Sequence, residues 1–485
     1  MKVFKYKQGL ANDSILLAVV RCLTYASSFA QTMIMSRAFS KFEYGRYSQA
    51  CLIVTFLSPF LLLGLSNAVN YFYNKESEKK GEYVQTIFNM ILLLGLVGGI
   101  GIIVFRDFIA SYFKSLTLVV LIYIVAFRPL LQNLIAMFQV LYISSNKAVM
   151  IVVRNAILAL AQFGIAVVAA YCLKSVELVL IFLVVTDLIQ VLVFYIYFSK
   201  NIMHLGFFKI NFSLMPKILQ YALPLVLSTM VGTISINMDT LLIGKMMTTE
   251  EFATYSNMAK ELPFNFLIAS FTDVIFPKII ALKAREDMQG LLRIYKSYLE
   301  FGLVSTWIMI SGAIVCARDI VLILYSDKYI SGIAIFYVYL LVSALRFTYH
   351  GMILSAYGKS NKIFIYSLIT LATNFVLNIA LFSLVGMIGP AIATFVSVLL
   401  TGLLQLFDSV KLLKVELKEL FDVKYLLKIF VETLILGLIL YVIKNYLTGM
   451  PVFVRFILMY GTFGGLLLLI NRKRIIAGLK TLNKG

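Results

Sequence analysis

SRAFSKFEYGRYSQA (residues 36–50) and GKMMTTEEFATYSNM (residues 244–258) are two copies of one pattern, and their spacing decides the fold. Glu43, Tyr44, Tyr47 and Ser48 fall on Glu251, Phe252, Tyr255 and Ser256, each 208 positions later. The matched residues are polar or aromatic, so chance similarity within apolar sequence does not account for them. Six apolar runs separate the copies. An even number of crossings gives both copies the same orientation across a membrane. That is a parallel repeat, two six-helix lobes related by an axis along the membrane normal, and the expected transport path is a cleft between the lobes.

Composition sets the class around that repeat. Hydrophobic residues make up 61% of the 485, only 14% are charged, and mean hydropathy is +0.93. This is the make-up of an all-α polytopic membrane protein. Apolar runs long enough to cross the bilayer are expected at 14–37, 47–72, 85–105, 116–143, 148–172, 177–198, 218–244, 254–281, 298–324, 332–356, 363–385, 388–407, 425–446 and 452–470, fourteen in all. They group as an N-terminal lobe (1–217), a C-terminal lobe (218–424) and an additional helix pair with a basic tail (425–485). Formal net charge is +20, a balance that in a soluble chain suggests nucleic acid. Here no nucleic-acid motif accompanies it. With both termini on the cytoplasmic side, inner loops and tails carry about 25 Lys and Arg and outer loops about 7, the positive-inside bias. The apolar run after Lys2, Lys5 and Lys7 exceeds a signal-peptide core and reads as a retained first helix. Cys22, Cys51, Cys172 and Cys316 all lie in apolar segments without metal-ligand spacing. No connection is longer than residues 199–217, which leaves no room for a soluble catalytic domain, and no catalytic residues are expected.

Three arginines stand inside apolar spans: Arg21 in SILLAVVRCLTYASSFAQTMIM, Arg128 in LVVLIYIVAFRPLLQNLIAMF and Arg346 in IAIFYVYLLVSALRFTYHGMIL. A guanidinium at mid-bilayer costs at least about 2.5–3.5 kcal/mol, so each needs a wet cavity, a partner or a route to the interface. Arg21, Tyr25, Ser28 and Thr32 recur on one helical face, whereas the matching positions Thr229, Thr233 and Thr240 are uncharged. One wall of the expected cleft is basic and the other neutral. Arg128 directly precedes Pro129, where freed backbone carbonyls offer an alternative to a cavity role. Lys260 lies beside Glu261 just ahead of Pro263, so the two side chains point to different sides. His350 reads as a hydrogen-bonded packing residue, Arg318–Asp319 as interfacial, and Asp187 as a carboxylate with no evident partner. Asp239 is an intramembrane carboxylate without a basic residue within a turn, costly unless it binds a cation or a proton.

MSRAFSKFEYGRYS with LLLGLSNAVNYF, then YALPLVLSTMVGTISINMDTLLIG with TTEEFATYSNMAKEL, then TNFVLNIALFSLVGMIGPAIATFVS resemble, in order, the first, seventh–eighth and eleventh–twelfth helices of the Wzx-type polysaccharide-lipid flippases. These belong to the MOP exporter superfamily. The resemblance covers about residues 10–410. Pro390 departs from it, standing where the family has a small residue. It implies a two-lobed transporter in the bacterial cytoplasmic membrane that moves undecaprenyl-diphosphate-linked oligosaccharide to the outer leaflet by alternating access, for O-antigen or other surface polysaccharide. Arg21, Tyr25, Arg128, Lys260 and Arg346 are then the expected substrate-binding residues, because arginine gives permanently charged, bidentate contacts to diphosphate oxygens. By resemblance to the lipid II flippases, Asp239, Asn374, Asn378 and Thr394 fall at the places of a sodium site. Oxygen ligands suit a hard cation, and sodium or protons are the expected coupling ions. Asn378 stands where a second carboxylate might be expected. Asn374 and Asn378 share a helix face, so plain hydrogen bonding between packed helices is an alternative. No other metal and no cofactor is expected. Expected partners are the lipid-linked glycan, membrane lipids and the polysaccharide polymerase or export machinery. Two other functions stay open. A multidrug exporter of organic cations should carry an acidic cleft, and a membrane-embedded glycan polymerase should carry a long outer loop.

Overall fold

The computed structural model describes residue 24 and residues 26–75, 79–145, 147–260, 262 and 264–484. Every regular element among the described residues is helical. Among the described residues nine helices are long and apolar enough to cross a membrane, or up to eleven if each of two bent pairs is one span, so the protein is a multi-pass membrane protein. The expected fourteen are not reached among the described residues, for three reasons. The 14–37 span begins outside them. The 254–281 span is broken into α8 (Thr249–Met258) and α9 (Phe264–Ala284). The spans at 363–385 and 388–407 form one 54-residue helical stretch, Ser360–Leu413. That stretch turns at Gly386, whose φ of 65° suits glycine, into α13 (Ser360–Val385) and α14 (Gly389–Leu413). Pro390 sits in the first turn of α14, where a missing N–H breaks no intrahelical bond, so the departure from the family pattern carries no structural penalty.

The chain divides into two compact units, Met1–Asn237 with Gly244–Ala253 and Met238–Ile243 with Thr254–Gly485. In the first, α1 (Lys41–Leu62) and α2 (Leu65–Lys75) meet at a 42° bend. Leu63 and Gly64 there have positive φ, and a Cβ on Gly64 would lie 2.9 Å from the Ala222 carbonyl oxygen. Glycine both permits the bend and lets α7 (Met215–Met246) approach. α7 is itself bent, by 46° near Pro224, where the ring removes a helical hydrogen bond. The core of this unit joins α2 and α3 (Lys80–Val104) to α4 (Arg128–Ser144) and α6 (Val176–Asn201) through Tyr83, Phe88, Phe138, Tyr142, Phe194 and Phe198. Tyr142 donates its hydroxyl to the Phe194 carbonyl at 2.8 Å, which satisfies the polar end of an otherwise apolar ring. Between α4 and α6 runs α5 (Ala148–Val167), which continues as a π-helical turn at Val168–Leu173.

The second unit is built on α10 (Met288–Val315), with Tyr295, Tyr298 and Leu299 packed against Ile275 and Ile279 of α9. The last helices, α15 (Val423–Tyr446) and α16 (Val452–Lys484), are joined to it by ion pairs near both ends of α16. Near one end, Asp319 in α11 (Ala317–Leu324) pairs with Lys444 at 3.0 Å and Arg455 at 2.6 Å. Asp319 has no exposed surface and is a buried, doubly paired carboxylate, while its neighbour Arg318 is exposed. Near the other end, Arg474 pairs with Glu300 at 2.7 Å and Asp422 at 2.6 Å, and stacks on Tyr425. The two arginines are about 28 Å apart by helix rise, close to the hydrocarbon thickness of a bilayer.

The repeat motif has a local explanation. Ser40 caps α1 by accepting the Glu43 N–H at 3.1 Å. Thr248, 208 positions on, accepts the Glu251 N–H at 3.3 Å while Glu251 accepts the Thr248 N–H at 3.0 Å. Both copies use the same S/T-x-x-E device to start a helix.

Candidate cation site and buried charges

Asp239 of α7 is 2% exposed and lies in the second unit, where four donors converge on it. Asn378 Nδ2 donates to Oδ1 at 3.0 Å. Thr394 Oγ1, Tyr339 and Tyr255 donate to Oδ2 at 2.5, 2.8 and 3.2 Å. Asn374 completes the cluster, donating to Thr394 Oγ1 and accepting from Asn378, both at 3.0 Å. Helix geometry explains the arrangement. Asn374 and Asn378 are one turn apart on α13, Thr394 lies near the start of the adjoining α14, and Tyr339 comes from α12 (Ile333–Leu345). All four residues expected at a cation site are thus brought together.

The cluster is rich in oxygen: two carboxylate oxygens, two amide oxygens and three hydroxyls. Asn378 Oδ1 is buried with no hydrogen-bond partner. A buried acceptor left unsatisfied costs about 1–3 kcal/mol, a deficit that a cation at this point would relieve. The donor set therefore fits a hard monovalent cation, which Asp239, Asn374, Asn378 and Thr394 would hold. Two members were not foreseen. Tyr255 had a signal, since it is the repeat partner of Tyr47. Tyr339 had none, being one tyrosine in an apolar run.

Arg21 and Tyr25 lie outside the described residues, as do Glu261 and Pro263. Lys260 is exposed, two residues beyond the end of α8. Arg346 caps the C-terminus of α12, where a cation favourably meets the helix dipole. It stands two turns from Tyr339 on the same face, about 10 Å along the axis. His350 bonds the Leu345 carbonyl at 2.9 Å and Thr348 at 3.2 Å, a packing arrangement.

Arg128 is buried in the first unit, and its Nε donates to Asp187 at 2.9 Å. That corrects the reading of Asp187 as partnerless: α4 and α6 are sequence-distant, and no spacing rule reveals a pair separated by 59 positions. Arg154 bonds Gln190 at 2.7 Å. Arg46, which sequence reading passed over inside the repeat motif, is a buried hub. It pairs with Glu43 at 3.1 Å and Glu177 at 3.0 Å and donates to the Thr117 carbonyl at 3.0 Å. Three helix starts are joined by one guanidinium.

The fold has relatives among solved structures. The lipid II flippase MurJ in its inward closed conformation superposes with a TM-score of 0.76 at 19% identity, over 95% of this chain and 100% of that one. An inward-facing multidrug resistance MATE family transporter of the MOP superfamily gives 0.64 at 13%, over 82% and 98%. A MOP superfamily transporter from Pyrococcus furiosus gives 0.57 at 13%, over 83% and 94%. At these identities the likeness is one of fold. No curated protein matches the chain. The family model described as polysaccharide biosynthesis protein matches residues 34–334, more than half of the sequence, and the chain belongs to that family.

Proposed function

We propose that this protein is a flippase for an isoprenoid-diphosphate-linked oligosaccharide, carrying it from the inner to the outer leaflet of the bacterial cytoplasmic membrane by alternating access, driven by a monovalent cation. Both termini are on the cytoplasmic side in this reading, and the product feeds a polysaccharide polymerase or export machinery. One observation carries it: Arg346 stands two turns along α12 from Tyr339, whose hydroxyl donates to Asp239 at 2.8 Å, so a cationic side chain and the oxygen cluster lie along one face of one helix. An anion site and a cation site linked in this way are reciprocally coupled, each ligand changing the other's affinity by the same factor. Arg21, Tyr25, Lys260 and Arg346 take the diphosphate and sugars. Arg128, neutralised by Asp187, serves to hold the first unit together. An apolar cavity of about 390 Å³ lined by Phe271, Phe301, Ile308, Phe463 and Leu468 suits a polyisoprenyl tail. The organic-cation exporter alternative calls for an accessible carboxylate, and Asp239 is enclosed.

The test is complementation of a flippase-null strain. Arg21→Ala and Arg346→Ala should each abolish surface glycan at unchanged protein level, with Lys restoring part of it because the fork geometry is lost. Full activity of both Ala variants would remove the substrate assignment.

A further inference from the structure

The second unit holds a second lined cavity, of about 780 Å³, bounded by α10, α11, α15 and the start of α16. Its two ends differ in chemistry. One is cationic: Arg318, Lys444 and Arg455 surround the single carboxylate of Asp319. Lys444 also donates to the Val315 carbonyl at 3.2 Å, and Arg455 Nε is buried without a hydrogen-bond partner. Arg318 is exposed, makes no ion pair among the described residues, and has Asn445 and Thr448 as polar neighbours on the cavity wall. Three cations to one anion leave an excess positive charge at this end.

The other end is an apolar slot. Ile314, Val315, Phe430, Leu434 and Leu438 line it, and Gly437 keeps its floor open. Leu434, Leu438 and Tyr441 are each more than half exposed, so the slot opens sideways onto the surface that a polytopic protein turns to lipid. Trp307 forms the inner wall, its indole N–H bonded to Thr433 at 3.0 Å and so leaving no polar group to repel a hydrocarbon chain. A cationic pocket continuous with a lipid-facing apolar slot matches one occupant by charge and shape, a phosphate headgroup with attached acyl chains.

We infer that this cavity is a binding site for an anionic phospholipid, which pins α15 and α16 to α10 and α11. The headgroup phosphate takes Arg318 and the polar atoms of Asn445 and Thr448, and an acyl chain lies along Leu434, Gly437 and Leu438. The site shares no residue with the Asp239 cluster or with the cavity assigned to the polyisoprenyl tail, so it stands whether or not the flippase reading does.

Native mass spectrometry on the full-length protein, extracted into mild detergent and exchanged into phosphatidylglycerol or phosphatidylcholine, tests it. The wild type is expected to retain one phosphatidylglycerol through detergent washing and to gain thermal stability from it, with neither effect from phosphatidylcholine. Glycerol phosphate, the soluble headgroup, should not stabilise. Arg318→Glu reverses the free charge without touching the Asp319 pairs, and Gly437→Leu fills the slot. Each should cut retention by about tenfold or more while the protein stays monodisperse. Because the two variants act at opposite ends of the cavity, poor folding of one leaves the other to decide. Retention unchanged in the folded variant, equal retention of phosphatidylcholine, or full stabilisation by glycerol phosphate alone would each overturn the assignment.

Discussion

The two halves of the chain place different chemistry at matching positions. In the second half, Tyr255 donates to the Asp239 carboxylate; 208 positions earlier, the Gln31 amide donates to Tyr47 at 3.3 Å. The contact is kept but its direction is reversed, and the charge is gone. Asn374 and Asn378 correspond at the same offset to Ala166 and Ala170, both buried, and Tyr339 to Leu131. Besides Tyr255, which stays Tyr47, Thr394 keeps its side chain, as Thr186, whose hydroxyl bonds its own helix at the Phe182 carbonyl. Where the second half gathers a carboxylate, two amides and three hydroxyls, the first offers one amide, two hydroxyls and aliphatic carbon, with no carboxylate. The two copies share a serine or threonine cap at the matching helix start, while the carboxylate-centred oxygen cluster occurs in one copy alone among the described residues.

That contrast can be broken in four ways. The largest effect is expected at Asp239. Asp239→Asn keeps the size and most hydrogen-bonding capacity but removes the charge, and transport in reconstituted vesicles should lose its response to a sodium or proton gradient entirely. Gln31→Ala should leave that response intact. Equal loss from both would mean that the halves are not functionally distinct.

Next is the buried pair that stands in for a ligand site in the first unit. Asp187→Ala strands the Arg128 guanidinium, and removing one partner of a buried pair costs about 3–5 kcal/mol. Detergent-solubilised protein should melt markedly lower, and the double change Arg128→Leu with Asp187→Leu should recover much of the loss. A lone Asp187→Ala that melts like wild type would return Arg128 to the substrate residues.

A third change sharpens the comparison by trying to make the halves alike. Gln31→Asp places a carboxylate opposite Tyr47 without the amide oxygens that Ala166 and Ala170 fail to supply. It should destabilise the protein and confer no new cation dependence, read as melting temperature against sodium concentration. A gain of sodium stabilisation there would show that the cage is not needed.

The smallest effects belong to the phenols. Tyr255→Phe and Tyr339→Phe each remove a neutral donor, with about 0.5–1.5 kcal/mol at stake, or roughly a two- to tenfold change in apparent cation affinity. Tyr339→Phe should have the greater effect, because its bond at 2.8 Å is shorter than the 3.2 Å of Tyr255.

Sequence carried the all-helical membrane class, the shared helix-start motif and the grouping of Asp239, Asn374, Asn378 and Thr394, because each rests on a local signal: apolar run length, a polar motif, or a polar residue stranded in an apolar span. What it could not carry were pairings between distant helices. Arg128 with Asp187, Arg46 with Glu177, and Asp319 with Lys444 and Arg455 all join residues at least 59 positions apart. Each partner alone looks like an unexplained charge. The same blindness hid the Asp187 partner of Arg128 and hid Tyr339, whose one distinguishing feature is the carboxylate that the fold brings to it.

The central claim is that the Asp239 cluster binds a monovalent cation and that its counterpart in the first half does not. Isothermal titration of sodium into the purified full-length protein tests this most directly. One saturable site is predicted for the wild type and for Gln31→Ala, and none for Asp239→Asn. Undiminished sodium binding by Asp239→Asn, or no site in the wild type with either sodium or protons as ligand, would contradict it.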